Sequence, residues 1–386
     1  MVTHNQIKTT NAGRTTSGKK SPAAFNVLFA CPPDDNSFLA NSIGAIESAS
    51  CEDRQYAVAM GTELFWNADR EYDVVNLQWP ESIFGRRWIL NRKRVIRLCD
   101  KIKALQSKGT KVCITRHNIR AHDQWSKKDF LPPLYRQVDG VIHLGTASRM
   151  EFQQRYGGEE WESRIQHAVV PHPGYFDLRN EVDRDQAKAY LGIEDEKKVI
   201  LVFGAVRSRQ EANLVEQVFS RVSKQISESR SPHELLLLAP RWLKSKTRLS
   251  EQLRKYGLYQ DRAPTGEQFK IGFDFVHEDK IQMYLGAADV VFVPRCSSSS
   301  LNSGIIPLAL TFGRVVVGPA AGVMGEMLRQ SNNPTFDDEF AASKTIAKLL
   351  QCETLFQQEQ NNAAFAREKL SLKVVGQKLT DFYSAL

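Results

Sequence analysis

The sequence predicts an α/β protein built from two doubly wound parallel sheets with a cleft between them. Three observations carry this expectation. Short apolar, β-branched runs alternate with helical stretches along most of the chain, as parallel strands joined by crossover helices require. The alternation restarts: a charged and polar segment at 178–196 is followed by a new apolar strand at Val199–Phe203. The length of 386 residues is also that of a chain with more than one domain.

The elements follow in order. Met1–Pro22 is rich in Thr, Asn, Ser, Gly and Lys and holds no acidic residue, so 1–22 is expected to be a disordered basic tail. The first domain is expected over 23–177. Its strands are Phe25–Ala30, Asp73–Gln78, Lys111–Thr115, Gly140–Leu144 and His167–Val170, and its helices include Ser37–Ala49 and Ala147–Arg155. Arg86–Lys108 reads as a basic amphipathic helix, with Trp88, Ile89, Val95, Ile96, Leu98, Ile102 and Leu105 on one face. It is either a solvated helix of the domain or a contact for acidic lipid headgroups.

The second domain is expected over 178–370. A polar helix there closes on Gly192. Strands follow at Val199–Phe203, Glu234–Ala239, Phe273–His277, Val290–Val293 and Val315–Val317. Helices are expected at Ala212–Ile226, Asp279–Ala287, Ile305–Phe312, Ala341–Leu350 and Thr354–Lys369. A last helix, Val374–Leu386, lies in a segment 371–386 that is expected to pack back on the first domain.

Composition narrows the function. With 42% hydrophobic residues and a net charge of +8, the chain can build ordinary cores and favours an anionic partner. No apolar run of about 18 residues is present, so no spanning helix is expected, and Met1–Ser21 lacks the apolar stretch of a signal peptide. The six cysteines form no C-x-x-C pair, which fits free thiols in a reducing cytoplasm. The eight histidines show no metal-binding spacing. The basic residues lie mostly on one helix without interleaved stacking aromatics, so nucleic acid is not expected as a partner.

The chemistry should sit at the carboxyl ends of the strands, where open α/β sheets bind ligands. In Ala288–Pro319 a buried strand runs through a polar loop into a helix that starts with Asn302-Ser303-Gly304. Asn302 or Ser303 is its natural N-cap, and such a start favours a phosphate. A second loop of this kind, Gly204-Ala205-Val206-Arg207, follows the strand at Val199–Phe203. Arg209 and Arg295 lie just beyond these two strands; they are candidate additions to the anion site, with solvation at the surface as the expected alternative. Neither G-x-G-x-x-G nor G-x-x-x-x-G-K-[ST] occurs, which argues against dinucleotide binding and P-loop hydrolysis.

Several of these segments resemble motifs of GT-B glycosyltransferases, in the broad group of family 4 and related bacterial polysaccharide enzymes. The resembling stretches are YDVVNLQWPE at Tyr72–Glu81, TRHN at Thr115–Asn118 and VVPHPG at Val169–Gly174. FGAVR at Phe203–Arg207, Ala288–Pro294 and Asn302–Gly318 complete the set. Two departures stand out. Gln210-Glu211 replaces the lysine of a K-G pair, and Ser300 and Leu308 occupy the places of an E-x7-E pair.

The resemblance implies a GT-B fold of two Rossmann-like domains, and a UDP- or GDP-linked sugar donor lying against the second domain. Gly204, Arg207, Arg209, Asn302, Ser303 and Gly304 would meet the nucleotide and its diphosphate. Their positive charge and N–H donors would serve without a metal or other cofactor. His117, Asp34 and Asp123 are the candidate catalytic groups facing the acceptor, histidine having a pKa suited to the work. Asp35, Asn118 and His172 are expected along the cleft, His172 ordering the interdomain link. The implied reaction is sugar transfer to a glycan or a lipid-linked acceptor in polysaccharide or glycolipid synthesis, in the cytoplasm or at the inner face of its membrane. The missing lysine and glutamates motivate a second reading, a nucleotide-sugar-binding scaffold without turnover. A third is an epimerase-like protein of the same build.

Overall fold

The computed structural model describes residues 24–386 apart from 34–35, 52–53, 70, 85–89, 121–128, 180–181, 230–232, 244–262, 296–300 and 353–354. The basic tail therefore lies outside the described residues. So do Asp34, Asp35, Asp123 and the start of the basic helix.

The first sheet is built from β1 (Phe25–Ala30), β2 (Tyr56–Met60), β3 (Val74–Leu77), β4 (Lys111–Arg116), β5 (Gly140–His143) and β6 (Gln166–Val169). All neighbours are parallel, in the order β2-β1-β3-β4-β5-β6. The helices around it are α1 (Ser37–Ser48), α2 (Thr62–Asn67), α3 (Arg92–Gln106), α4 (Pro132–Tyr135) and α5 (Thr146–Tyr156). Central strands covered on both faces lose the polar–apolar alternation of half-exposed strands. Val27, Leu28, Phe29 and Ala30 of β1 are accordingly all buried.

The second sheet contains β7 (Lys198–Leu201), β8 (Leu235–Ala239), β9 (Phe269–Ile271), β10 (Val290–Phe292), β11 (Val316–Pro319) and β12 (Thr335–Phe336). It is again parallel, in the order β12-β11-β10-β7-β8-β9. Its helices are α6 (Arg184–Leu191), α7 (Arg209–Glu228), α8 (Glu278–Ala287), α9 (Ile305–Thr311), α10 (Gly322–Gln330), α11 (Glu339–Leu350) and α12 (Leu355–Lys369). As expected, α6 closes on Gly192, which takes a left-handed φ of 62°. In each sheet the strand order reverses direction beside the first strand, between β1 and β3 and between β7 and β10. These are the switch points at which such sheets open a crevice.

The chain ends in α13 (Leu372–Ala385), which leaves the second domain and lies on the first. Val375, Leu379, Phe382 and Tyr383 join a core with Val27, Phe29, Ala45 and Ile46. The approach to α1 is close: a Cβ on Gly376 would stand 1.9 Å from the carbonyl oxygen of Ala45.

Some elements differ from expectation. No strand forms over Phe273–His277; the sheet is completed by β9, just before Gly272, and Phe273 makes a single antiparallel bridge to Arg241. β2, α10 and β12 were not anticipated. Of the segment expected as the basic helix, residues 86–89 lie outside the described residues, Leu90 and Asn91 are not helical, and α3 starts at Arg92. A 3-10 turn at Pro80–Phe84 precedes it, and Asn91 caps α3 by accepting from the N–H of Arg94 at 3.0 Å. Its buried face is Val95, Leu98, Ile102 and Leu105, whereas Ile96 is half exposed.

Candidate active site in the interdomain cleft

The carboxyl ends of both sheets face one cleft of about 410 Å³. The first domain supplies Ser37 and Phe38 from the opening turn of α1, Trp79 after β3, and His117 and Asn118 after β4. His117 is only 9% exposed. Its ring stacks on Trp79 at 4.1 Å and 19°, and the edge-on ring of Phe38 stands 4.9 Å away. Nε2 of His117 lies 2.9 Å from Oε1 of Gln78. An imidazole held between two rings and an amide has its position fixed before any ligand arrives.

The second domain supplies the loops after β7, β8 and β10. Gly204 leaves β7 with φ 84°, and a Cβ there would meet Ile305 of α9 at 3.0 Å. Glycine suits this position for both reasons. Behind the loop, Arg295 and Glu211 form an ion pair at 2.9 Å, their side chains 7% and 6% exposed. Arg295 also donates to the carbonyl of Ala205, and the other oxygen of Glu211 accepts from the backbone N–H of Arg207 at 2.7 Å. Ser208 caps α7 by accepting from the N–H of Glu211. One carboxylate thus ties the Gly204–Arg207 loop to the loop after β10. The expectation that solvent surrounds Arg295 is corrected here, because its guanidinium has protein partners in a buried position.

Arg207 itself is exposed toward the cleft. Desolvation against the cleft wall and then the nearby Arg295 lower its pKa, with Glu211 opposing and Arg241 adding to the drop. Guanidinium stays charged throughout the working range. Arg207, Arg241 and Arg295 therefore place three cations on this wall, of which Arg295 is matched by Glu211. Arg241 sits 5.4 Å over the ring of Phe275, which is 71% exposed.

Asn302, Ser303 and Gly304 line the same wall. Neither Asn302 nor Ser303 caps α9, contrary to expectation. Gly304 occupies that position without a side-chain cap, and Ser303 contributes its carbonyl, which accepts from Ile306 at 3.3 Å. The space beside Gly304 is taken by the Tyr175 hydroxyl and His172. His172 is buried, its Nδ1 2.8 Å from the Pro173 carbonyl, and burial pushes its pKa down to about 4. It is a neutral hinge-side group at neutral pH, with Nδ1–H donating to that carbonyl.

Two further contacts join the domains. Ser37 donates to Glu278 of α8 at 2.7 Å across the cleft. Glu326 of α10 accepts from the N–H groups of Thr146 and Ala147, at 2.9 and 2.7 Å, at the start of α5. A carboxylate from one domain thereby caps a helix of the other.

The sequence-predicted residues His117, Asn118, His172, Gly204, Arg207, Asn302, Ser303 and Gly304 thus meet around one cleft. Arg209, at the start of α7, is exposed and does not line it. Phe38, Arg241 and Phe275 were not singled out in advance; Gln78 entered only within a motif, and Glu211 only as a departure from one. The S-x-x-E spacing of Ser208–Glu211 was a readable helix-start signal, and Arg241 stands just beyond a strand's carboxyl end. Among the described residues, no group of three His, Cys, Asp or Glu side chains comes together to hold a metal.

No protein-family model matches the sequence, and no curated protein matches it. Solved structures do. Anabaena Alr3699/HepE, in complex with UDP and glucose, is similar with a TM-score of 0.62 at 14% identity, over 94% of this chain and 100% of that one. A glycosyltransferase from Rickettsia africae matches with a TM-score of 0.59 at 11% identity, over 94% and 98%. A Listeria monocytogenes protein named as a candidate UDP-N-acetylglucosamine 2-epimerase matches with a TM-score of 0.55 at 12% identity, over 94% and 98%. The chain has the GT-B fold, two Rossmann-like domains facing each other across a cleft. That fold serves transferases and epimerases alike, so the activity has to be argued from the site.

Proposed function

We propose that the chain is a glycosyltransferase that moves a sugar from a nucleoside diphosphate to an acceptor hydroxyl. The observation that carries this is the placement of an anion-binding wall and a positioned imidazole on opposite sides of one cleft. The diphosphate lies along Gly204, Arg207 and the Asn302–Gly304 turn. Its base rests on the open face of Phe275, beside Arg241. The neighbour that binds UDP and glucose on the same fold supports a uridine donor.

In the transfer, the acceptor oxygen bonds to the anomeric carbon as that carbon's bond to the β-phosphate oxygen breaks. The electron pair leaves with the nucleoside diphosphate. Negative charge therefore grows beside Arg207, where a fixed cation stabilises it most. His117 takes the acceptor's proton.

The acceptor is a glycan or a lipid-linked glycan. Arg92, Lys93, Arg97 and Lys103 on the exposed side of α3, with Ile96 among them, support a site of action at an anionic membrane surface. No helix among the described residues is long and apolar enough to cross a membrane.

The test is donor turnover and UDP binding with a panel of UDP- and GDP-sugars. Arg207→Ala should weaken UDP binding by roughly 10- to 100-fold, the contribution of a charge-assisted hydrogen bond, and His117→Ala should abolish transfer while leaving UDP binding intact. UDP binding without transfer or hydrolysis for any donor and acceptor would favour the scaffold reading. Flotation with acidic liposomes that is indifferent to lipid charge would remove the membrane assignment.

A further inference from the structure

Two polar side chains stand together on the floor of the cleft, at the junction of the domains. The hydroxyl of Tyr175 is 3.4 Å from Nε2 of His172. Both residues line the cleft, yet they are only 8% and 3% exposed. The start of α9 closes one side: a Cβ on Gly304 would stand 2.9 Å from the hydroxyl and 3.5 Å from Nε2. Phe38 closes another, its ring edge-on to His172 at 4.7 Å and to His117 at 4.9 Å. The pair is thus one phenyl ring away from the acceptor-side imidazole and beside the turn that faces the diphosphate. Tyr175 is also tied to the donor side, because its backbone N–H donates to the Thr311 hydroxyl of α9 at 3.1 Å.

The polarity of the pair is set from its far end. Nδ1 of His172 is 2.8 Å from the Pro173 carbonyl, which can only accept. Nδ1 therefore carries the proton, and in the neutral ring Nε2 keeps a lone pair. Burial holds this imidazole neutral at neutral pH. The facing hydroxyl must then donate its single hydrogen to Nε2. Turning that hydrogen elsewhere would leave the buried Nε2 desolvated and unpaired. Burial, and after it the Glu278 carboxylate, raises the Tyr175 pKa, so the phenol keeps its proton. What its oxygen has left are lone pairs, and among the described residues no N–H or O–H donates to them.

An oxygen that offers lone pairs alone repels a phosphate, whose oxygens offer the same. It suits an uncharged group with a hydrogen to give. In a nucleoside diphosphate sugar, the part next to the β-phosphate is a ring of hydroxyl groups, each with such a hydrogen. We propose that Tyr175 accepts a hydrogen bond from one ring hydroxyl of the transferred sugar and so takes part in choosing that sugar. The proposal rests on the glycosyltransferase reading of the cleft. His172 is the positioning residue in it, since it takes up the phenol's hydrogen. A buried oxygen built to pair one hydroxyl loses that pairing with a sugar that lacks the hydroxyl or carries it on the other face of the ring.

The experiment is calorimetric titration of the full-length protein with UDP, with UDP-glucose, and with UDP-glucose analogues in which one sugar hydroxyl at a time is replaced by hydrogen or by fluorine. Fluorine accepts weakly and cannot donate, so it separates the two directions of the contact. At one ring position, the deoxy and fluoro analogues should both bind wild type about 3- to 10-fold more weakly than UDP-glucose, the contribution of one neutral hydrogen bond. In Tyr175→Phe all three should bind alike, while UDP itself binds as it does to wild type. In His172→Leu the phenol's hydrogen is released, and the fluoro analogue should regain part of the loss that the deoxy analogue keeps. The wild-type comparison of hydrogen with fluorine needs no variant, so it tests the direction of the contact even if Tyr175→Phe is destabilised.

A fluoro analogue that matches UDP-glucose at the position where the deoxy analogue is weakened would overturn the proposal, because the phenol would then be the donor. So would the absence of any ring position whose loss Tyr175→Phe cancels. The expected pattern in a protein that transfers no sugar would leave the Tyr175 contact standing and remove the transferase reading instead.

Discussion

Glu211 and Arg295 lie 84 residues apart in sequence and form one buried ion pair, 2.9 Å long, directly behind the cleft wall. The pair clamps two loops that leave adjacent strands, β7 and β10. Losing one partner leaves the other charge buried without compensation, a change that costs about 3–5 kcal/mol. Glu211→Ala is therefore expected to lower the denaturant midpoint substantially and to weaken UDP binding through the loosened Gly204 loop. If the variant keeps wild-type stability and UDP affinity, the clamp has no such role.

Phe275 offers an exposed ring at the cleft, with Arg241 over it. Stacking a base on an aromatic face contributes about 1–3 kcal/mol. Phe275→Ala should thus raise the dissociation constant for UDP by roughly 5- to 150-fold, and Phe275→Tyr should restore most of it. Calorimetric titration of UDP measures both. Equal affinity in all three proteins would place the base elsewhere.

His172 gives a pH prediction with a definite sign. Burial holds its pKa at about 4 in the fold, below its ordinary value of 6.5. The unfolded chain therefore binds a proton between these values when the folded one does not. The contribution to stability is fully present above about pH 6.5 and is lost as pH falls toward 4, amounting to about 3 kcal/mol. His143, held at about 2 chiefly by burial and then by His167, and His167, lowered chiefly by burial, act in the same direction. The informative quantity is the difference between wild type and His172→Asn, measured by urea unfolding at several pH values. That difference should shrink on acidification from pH 7 to pH 4, and a constant difference would refute the assignment.

Gly376 governs how closely α13 approaches α1. An added methyl group would overlap the Ala45 carbonyl, and overpacking of this sort costs about 1–3 kcal/mol. Gly376→Ala should lower thermal stability accordingly. Gly158, whose added Cβ would meet nothing within 4 Å, provides the control: Gly158→Ala should change stability little.

The strands that were legible in the sequence were the central ones. Leu235–Ala239 and Val290–Phe292 are buried on both faces, and a short, unbroken apolar run between polar segments is the pattern of a strand in that position. β2 is an edge strand of half-exposed residues, so its pattern carried little signal. β12 has only two residues, and α10 holds two glycines with no side-chain cap. The run at Phe273–His277 was misleading because Phe273 and Phe275 alternate as in a strand, although the parallel register ends at Ile271, with Gly272 packed tightly on the Pro240 carbonyl.

Within the site, the residues at strand ends could be placed from sequence because topology alone brings those ends together. The groups that hold them could not. Glu211 reads locally as part of a helix start, and its partner Arg295 lies across a fold-level contact. Trp79 and Phe38 meet His117 from separate strand exits.

The docking of α13 has a consequence for the order in which the protein is made. The first sheet has all its strands once residue 169 has been synthesised. Yet one face of that sheet is covered by Val375, Leu379, Phe382 and Tyr383. The earliest part of the chain to emerge from the ribosome must therefore wait, with an apolar face uncovered, for nearly the last part to arrive. A chain released before Leu372 is expected to bind a hydrophobic dye strongly and to depend on chaperones, whereas addition of the missing helix as a peptide should quench that binding.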